Sequence, residues 1–290
     1  MKKKFSRKHP QDSNRSLFVA DLDGTLLRSD GTFSQKDLDA LEILSHRGVK
    51  TAVATGRSLY SFNQSAGLDL QVDYIIFSSG AGVVRQSDRK LVYQRNLSPE
   101  MVKQALDYMT HSTFDFMLHN PVPDNHRYVY RRVNGHNMDF ETRIERYREF
   151  GKTLNSMTRK DFGEAAQFLA VVPQNETDDA LKRSRDGLPG LSVIRSTSPL
   201  DHKSTWIEFF HPKVSKSKTA AWLATRLKVP VTNIMAIGND YNDQDLLEWA
   251  NRSYVVENAP ADLKSRFQQV ASNDNGGVAE AVEHWLSEKD

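Results

Sequence analysis

The 290-residue chain contains no cysteine. That excludes disulfide scaffolds, thiolate zinc sites and cysteine nucleophiles, and it fits a reducing compartment, so a cytoplasmic location is the expectation. Charge imbalance is also small: 39 Lys and Arg against 37 Asp and Glu leave a formal net charge of +2. No global field therefore points to nucleic acid or to a membrane surface as a partner. Long apolar runs are missing as well. The longest are strand-sized, far short of the roughly 20 residues that cross a bilayer. The basic start, with Lys2, Lys3, Lys4, Arg7 and Lys8, runs into His9 and Pro10 and not into the apolar stretch of a secretory signal. Residues 1–15 read as a basic flexible tail. A hydrophobic share of 38% suffices for two packed domains in the remainder.

Short β-rich runs alternate with amphipathic stretches at both ends of the chain: Leu17 to Ala20, Val49 to Ala54, Tyr74 to Phe77, Ile234 to Ile237 and Tyr254 to Val256. Between them Leu38, Leu41 and Leu44, and later Ala220, Leu223, Ala224 and Leu227, recur at helical spacing. This rhythm predicts a doubly wound α/β core, a parallel sheet with helices on both faces and a binding crevice at the carboxyl ends of its strands. The texture changes in the middle. A turn near Ser87 to Arg89, a helix from Pro99 to Thr110, strands Gln167 to Val172 and Leu191 to Arg195, and helical Asp178 to Arg185 between them predict an inserted α+β domain. The expected division is a core of residues 16–84 and 198–290 interrupted by an insert at 85–197.

Three strand ends carry chemistry. Leu17-Phe18-Val19-Ala20 ends abruptly in Asp21-Leu22-Asp23-Gly24-Thr25. In an extended segment Asp21 and Asp23 share a face, and Gly24 lets the chain turn sharply. Two carboxylates that both stay ionised need a cation, and a hard, oxygen-seeking ion such as Mg²⁺ meets that need. Standing alone, the motif would be an Asp-Gly turn. The second strand ends in Thr55-Gly56-Arg57, by itself a helix cap with a flexible glycine. The third runs into Gly238-Asn239-Asp240-Tyr241-Asn242-Asp243, more oxygen ligands than a helix cap uses. Lys216 and Lys218 open a helix, where a cation opposes the macrodipole. Either a basic solvated loop or a required lysine accounts for them.

Asp-Leu-Asp-Gly-Thr-Leu-Leu, Ala-Thr-Gly-Arg, Val-Ser-Lys and Gly-Asn-Asp-Tyr-Asn-Asp, in this order, resemble the four motifs of the haloacid dehalogenase superfamily of phosphatases. More narrowly the chain is similar to the Cof-type, sugar-phosphatase-like group, which carries a large α/β cap between the second and third motifs. The resemblance covers everything after the tail. It implies Asp21 as nucleophile, Asp23 as general acid and base, and Lys216 as the lysine that pairs with nucleophile and phosphate, with Lys218 as the substitute in a shifted register. It further implies phosphate contacts from Thr55, Gly56, Leu22 and Asn242, and Mg²⁺ held by Asp21, Asp23 and Asn239. The chain departs from the pattern at Asn239, where the family usually has aspartate; Asp240 is the alternative ligand.

The implied activity is Mg²⁺-dependent hydrolysis of a small phosphate ester through an aspartyl-phosphate, with the cap closing over the site. Arg127, Arg131, Arg132, Arg143, Arg146 and Arg148, with His119, His126 and His136, lie in the cap. They suit a polyanionic or multiply hydroxylated substrate, or else a solvated helix around Glu141 to Phe150 whose acidic residues offset the arginines. Two other functions remain open, a phosphotransferase or mutase on the same core and a non-catalytic binding protein.

Overall fold

The computed structural model describes residues 15–65, 70–133, 137–154 and 162–288, so the basic tail apart from Arg15, and His136, lie outside the described residues. The chain opens with β1 (Leu17–Asp21), α1 (Gln35–His46), β2 (Lys50–Ala54), α2 (Leu59–Ser65), β3 (Tyr74–Phe77), β4 (Gly82–Arg85) and β5 (Lys90–Gln94). Its middle holds α3 (Pro99–His111), β6 (Asp115–His119), β7 (Tyr128–Arg131), α4 (Met138–Arg146), β8 (Gly151–Thr153), β9 (Gln167–Val172), α5 (Thr177–Gly187), β10 (Ser192–Thr197) and β11 (Thr205–Phe210). It finishes with α6 (Lys216–Leu227), β12 (Ile234–Gly238), α7 (Gln244–Trp249), β13 (Arg252–Val256), α8 (Ala261–Lys264), β14 (Gln268–Val270) and α9 (Gly277–Ser287).

The first sheet has eight strands in the order β14-β13-β12-β1-β2-β3-β4-β5. It is parallel from β14 to β3 and extended by the antiparallel β4 and β5. Alternate residues of β1 enter opposite cores. Phe18 and Ala20 pack with Leu41 and Leu44 of α1 and with Val282 and Trp285 of α9. Leu17 and Val19 pack with Ala220 and Leu223 of α6 and Leu246 of α7. Burial on both faces is why this strand reads as a continuous apolar run and not as an alternation. The doubly wound α/β architecture expected from the sequence is the one observed.

The second sheet has six strands in the order β10-β11-β9-β6-β7-β8, antiparallel except for β7 with β8. Helices α3 and α5 cover one face, through Val102, Leu106, Met109, Ala180 and Leu181. Helix α4 covers the other, setting Phe140 and Ile144 against Met117, Leu169 and Trp206. It is therefore no freely solvated helix, although its exposed side does pair Glu141 with Arg132 at 2.5 Å. By strand membership the change of sheet falls after Gln94 and after Phe210, not at 85 and 197. A hairpin partner and a long antiparallel neighbour are chosen by backbone pairing, to which composition is blind. No described helix is long and apolar enough to cross a membrane.

Candidate active site

Parallel pairing brings the ends of β1, β2 and β12 to one edge, with Asp21 level with Ala54 and Ala20 level with Ile237. The loop after Asp21 folds back at once: the carbonyl of buried Leu22 accepts from the amides of Leu27 at 2.7 Å and Thr25 at 3.3 Å. Gly24 sits at φ +75°, and a Cβ there would stand 2.5 Å from Asn239 Nδ2. Only glycine meets both demands. Asn239 thus lies against the Asp21 loop, its Oδ1 accepting from Thr25 Oγ1 at 3.3 Å.

Lys216 begins α6, behind Ser215, whose hydroxyl caps the helix by accepting from the Lys218 amide at 3.2 Å. Its ammonium donates to Asp21 Oδ1 at 2.6 Å, Asp243 Oδ1 at 2.6 Å and Asn242 Oδ1 at 3.2 Å. These use all three of its protons. Two carboxylates offset the unfavourable position at the helix start. Burial by itself would lower the Lys216 pKa, but Asp21 and Asp243 outweigh it and hold the ammonium above the ordinary lysine range. Lys218 points away, its Nζ donating to the Pro212 carbonyl at 2.8 Å.

Asp21 is 4% exposed, and burial, reinforced by Asp243 and opposed by Lys216, raises its pKa to about 7. Its second oxygen, Oδ2, is buried with no hydrogen-bond partner. Among Asp21, Asp243 and Lys216 two carboxylates face one ammonium, so once Asp21 is ionised the buried cluster carries an excess negative charge beside an unsatisfied oxygen. A hard divalent cation fits that oxygen. Among the described residues no group of three or more His, Cys, Asp or Glu side chains gathers as a metal cage. Mg²⁺ keeps several waters and takes one or two carboxylates, a demand that the single unpartnered Asp21 oxygen fits.

The remaining expected residues stand around this cluster. Arg57 grips Asp23 through Nε and Nη2, turning the Asp23 carboxylate toward the β2 turn. Thr55 Oγ1 accepts from the Arg57 amide at 3.1 Å and lies 3.5 Å from Asp23 Oδ2. At Gly56 a Cβ would sit 4.0 Å from Asn242 Nδ2, which places the β2 turn next to the fourth-motif loop. Asp240 turns the other way: Oδ2 accepts from the Thr197 amide at 2.8 Å and Oδ1 from the Thr197 hydroxyl at 2.9 Å, on β10 of the second sheet.

Two residues outside the expected set belong to the arrangement. Asp243 holds Lys216 with one oxygen and accepts from the amides of Asn239 at 3.0 Å and Asp240 at 3.1 Å with the other. Its signal was the excess of acidic residues in that loop. Arg57 directly follows Thr55-Gly56, but nothing in its sequence position reveals that it reaches Asp23.

Residues from the second-sheet part of the chain also meet the core near these loops. Asn125 Nδ2 donates to Ser78 Oγ at 2.6 Å, and Ser79 Oγ donates to Glu208 Oε2 at 3.2 Å. Tyr60 of α2 stacks on His126 with centroids 4.7 Å apart. Ser78, Ser79 and Gly80 all lie in the left-handed region, at φ 50°, 52° and 106°. Gly80 is required there, since a Cβ would stand 2.5 Å from the Ser215 carbonyl oxygen.

The profile of the haloacid dehalogenase-like hydrolases matches residues 18–282. The chain belongs to this family. Within these haloacid dehalogenase-like hydrolases it is of the Cof type, and it is an enzyme of the phosphatase kind. A putative phosphatase of Streptococcus pyogenes is 25% identical over 280 residues, covering 93% of this chain and 98% of the relative. The 5-amino-6-(5-phospho-D-ribitylamino)uracil phosphatase YwtE of Bacillus subtilis is 25% identical over 292 residues, covering 92% and 96%. Among solved haloacid dehalogenase-like folds, a phosphatase from Bacteroides thetaiotaomicron superposes with a TM-score of 0.76 at 21% identity, over 97% of this chain and 99% of that one. A sugar phosphatase of subclass IIB superposes with a TM-score of 0.72 at 17% identity, over 93% and 99%.

Proposed function

We propose that the chain is a Mg²⁺-dependent phosphatase of the cytoplasm that hydrolyses a small phosphorylated metabolite, a sugar phosphate or similar monoester, through an aspartyl-phosphate on Asp21. The observation that carries this reading is the buried Asp21 carboxylate with Lys216 on one oxygen and no partner on the other. Asp21, Asn239 and the Asp23 segment would hold Mg²⁺, which supplies charge neutralisation for the phosphate.

In this mechanism Asp21 attacks phosphorus in line, breaking the bond to the leaving oxygen. Lys216 orients the attacking carboxylate and neutralises charge on the transferred group, with Thr55, Asn242 and the amides of Leu22 and Gly56 as further contacts. Asp23, held as a carboxylate by Arg57 in this arrangement, would take up a proton from solvent, give it to the departing alcohol and later take one from the water that cleaves the aspartyl-phosphate. Arg57 aims Asp23. We further assign residues 95–210 as a cap that excludes water during the first step, a division supported by strand membership and by the contacts of Ser78, Ser79 and Asp240.

Purified protein should release inorganic phosphate from sugar phosphates with Mg²⁺ and not with excess chelator. Transfer of the phosphoryl group to a second sugar with no free phosphate would favour a mutase instead.

A further inference from the structure

In the cap sheet His119 of β6 lies opposite Gln167 of β9, and Leu169 of β9 lies opposite Glu208 of β11. Strand residues two apart share a face, so His119, Gln167 and Glu208 project from one face. Gln167 Nε2 confirms it by donating to Glu208 Oε1 at 3.0 Å. Helix α4 covers the neighbouring apolar part of that face. The polar corner reaches the core beside the phosphate contacts, where Ser79 Oγ meets Glu208 Oε2 at 3.2 Å. The Ser79 amide donates to the Thr55 carbonyl at 2.9 Å, and its hydroxyl stands 3.6 Å from where a Gly56 Cβ would be.

Glu208 is 4% exposed. A carboxylate accommodates about four hydrogen bonds, and Glu208 receives two, both from neutral donors. Among the described residues it forms no ion pair within 4 Å; Arg143, the cap cation that acts on it, lies instead over the Trp206 ring at 4.3 Å. His119 supplies a second acceptor. Its Nδ1 is 2.8 Å from the Asn125 carbonyl, which only accepts, so Nδ1 carries the proton and Nε2 presents a lone pair. That Nε2 is buried with no partner. Burial also lowers the His119 pKa to about 3, which keeps the ring neutral. This polar corner thus holds a buried acceptor without a donor, His119 Nε2, and a buried carboxylate, Glu208, with unused hydrogen-bonding capacity; a buried acceptor is costly until a donor reaches it.

We propose that Glu208, with His119 beside it, is a specificity-determining residue that selects phosphate esters whose leaving group carries hydroxyl groups, by accepting hydrogen bonds from them under the closed cap. The proposal rests on the phosphatase reading above. Its test compares kcat/KM for sorbitol 6-phosphate with that for n-hexyl phosphate, esters of equal chain length with and without hydroxyls. The wild type should favour the sorbitol ester by about tenfold or more, and Glu208→Gln should shrink that ratio by about tenfold, the upper scale of a single hydrogen bond. Ser79→Ala removes the tie between Glu208 and the core but keeps the carboxylate, so its ratio should stay near the wild-type value. Should Glu208→Gln not fold, His119→Phe must lower the same ratio. An unchanged ratio in Glu208→Gln, or an equal loss of preference in Ser79→Ala, would overturn the assignment. Hydrolysis of p-nitrophenyl phosphate with no preference between the two alkyl esters defeats this inference alone. No phosphate release from any of the three defeats the phosphatase reading and this inference with it.

Discussion

Arg57 holds Asp23 in a fork, with Nε 2.8 Å from Oδ2 and Nη2 2.5 Å from Oδ1. The pair links the loop after β1 to the turn after β2 and fixes the direction of a carboxylate assigned to proton transfer. Bidentate guanidinium contacts supply that geometric precision, and a lysine does not reproduce it. Arg57→Ala should reduce kcat by about 10²-fold, the cost of a misplaced catalytic group, and Arg57→Lys should restore only part. Asp23→Asn should cost roughly 10²- to 10⁴-fold, more for an alkyl than for an aryl phosphate. Steady-state rates on both ester types check the pair; equal losses for both esters would count against proton transfer by Asp23.

Asp21→Asn should lower turnover by about 10³-fold or more and abolish covalent phosphorylation, seen as loss of the phosphate mass adduct in quenched protein. The thermal transition should remain, because the amide still occupies the buried site between β1 and Lys216. Most of the activity surviving in this variant would assign the nucleophile elsewhere.

The fourth-motif loop separates its two candidate ligands. Asn239 faces the Asp21 loop through Thr25, whereas both Asp240 oxygens are taken by Thr197. Asn239→Asp should tighten Mg²⁺ by about tenfold and Asn239→Ala should weaken it, since an anionic oxygen binds the ion better than an amide carbonyl. Asp240→Ala should leave the half-saturating Mg²⁺ within about twofold and raise KM by about tenfold through loss of the contact to the cap. Activity titrated with Mg²⁺ reports all three, and a metal defect confined to Asp240→Ala would reverse the assignment.

Burial raises the Asp21 carboxyl from 3.8 to about 7. Between those values the folded, metal-free chain holds a proton that the unfolded chain has lost. The stability this group contributes is therefore complete below about pH 4 and disappears as pH rises through about 7. Magnesium requires the ionised form. The rise in Tm on adding saturating Mg²⁺ should be larger at pH 8 than at pH 6, and scanning calorimetry at both values checks it. A pH-independent rise would mean that the ion does not bind at Asp21.

The amino-acid sequence by itself determined the doubly wound core, because Leu17 to Ala20 and its sister strands are buried on both faces and the helices between them keep a 3.6-residue period. It also marked Asp21, Thr55, Lys216 and the Asn239 to Asp243 loop, since each follows directly on a strand or opens a helix and parallel pairing sends those ends to one edge. Only the tertiary structure decided the contacts made across elements. Lys216 and Lys218 are alike in sequence, and it is the direction of their side chains at the start of α6 that gives one to Asp21 and the other to Pro212. Arg57 on Asp23, Thr197 on Asp240 and Ser79 on Glu208 join residues 34, 43 and 129 positions apart. No local pattern encodes such pairs, because they form only when separately folded segments are packed against one another.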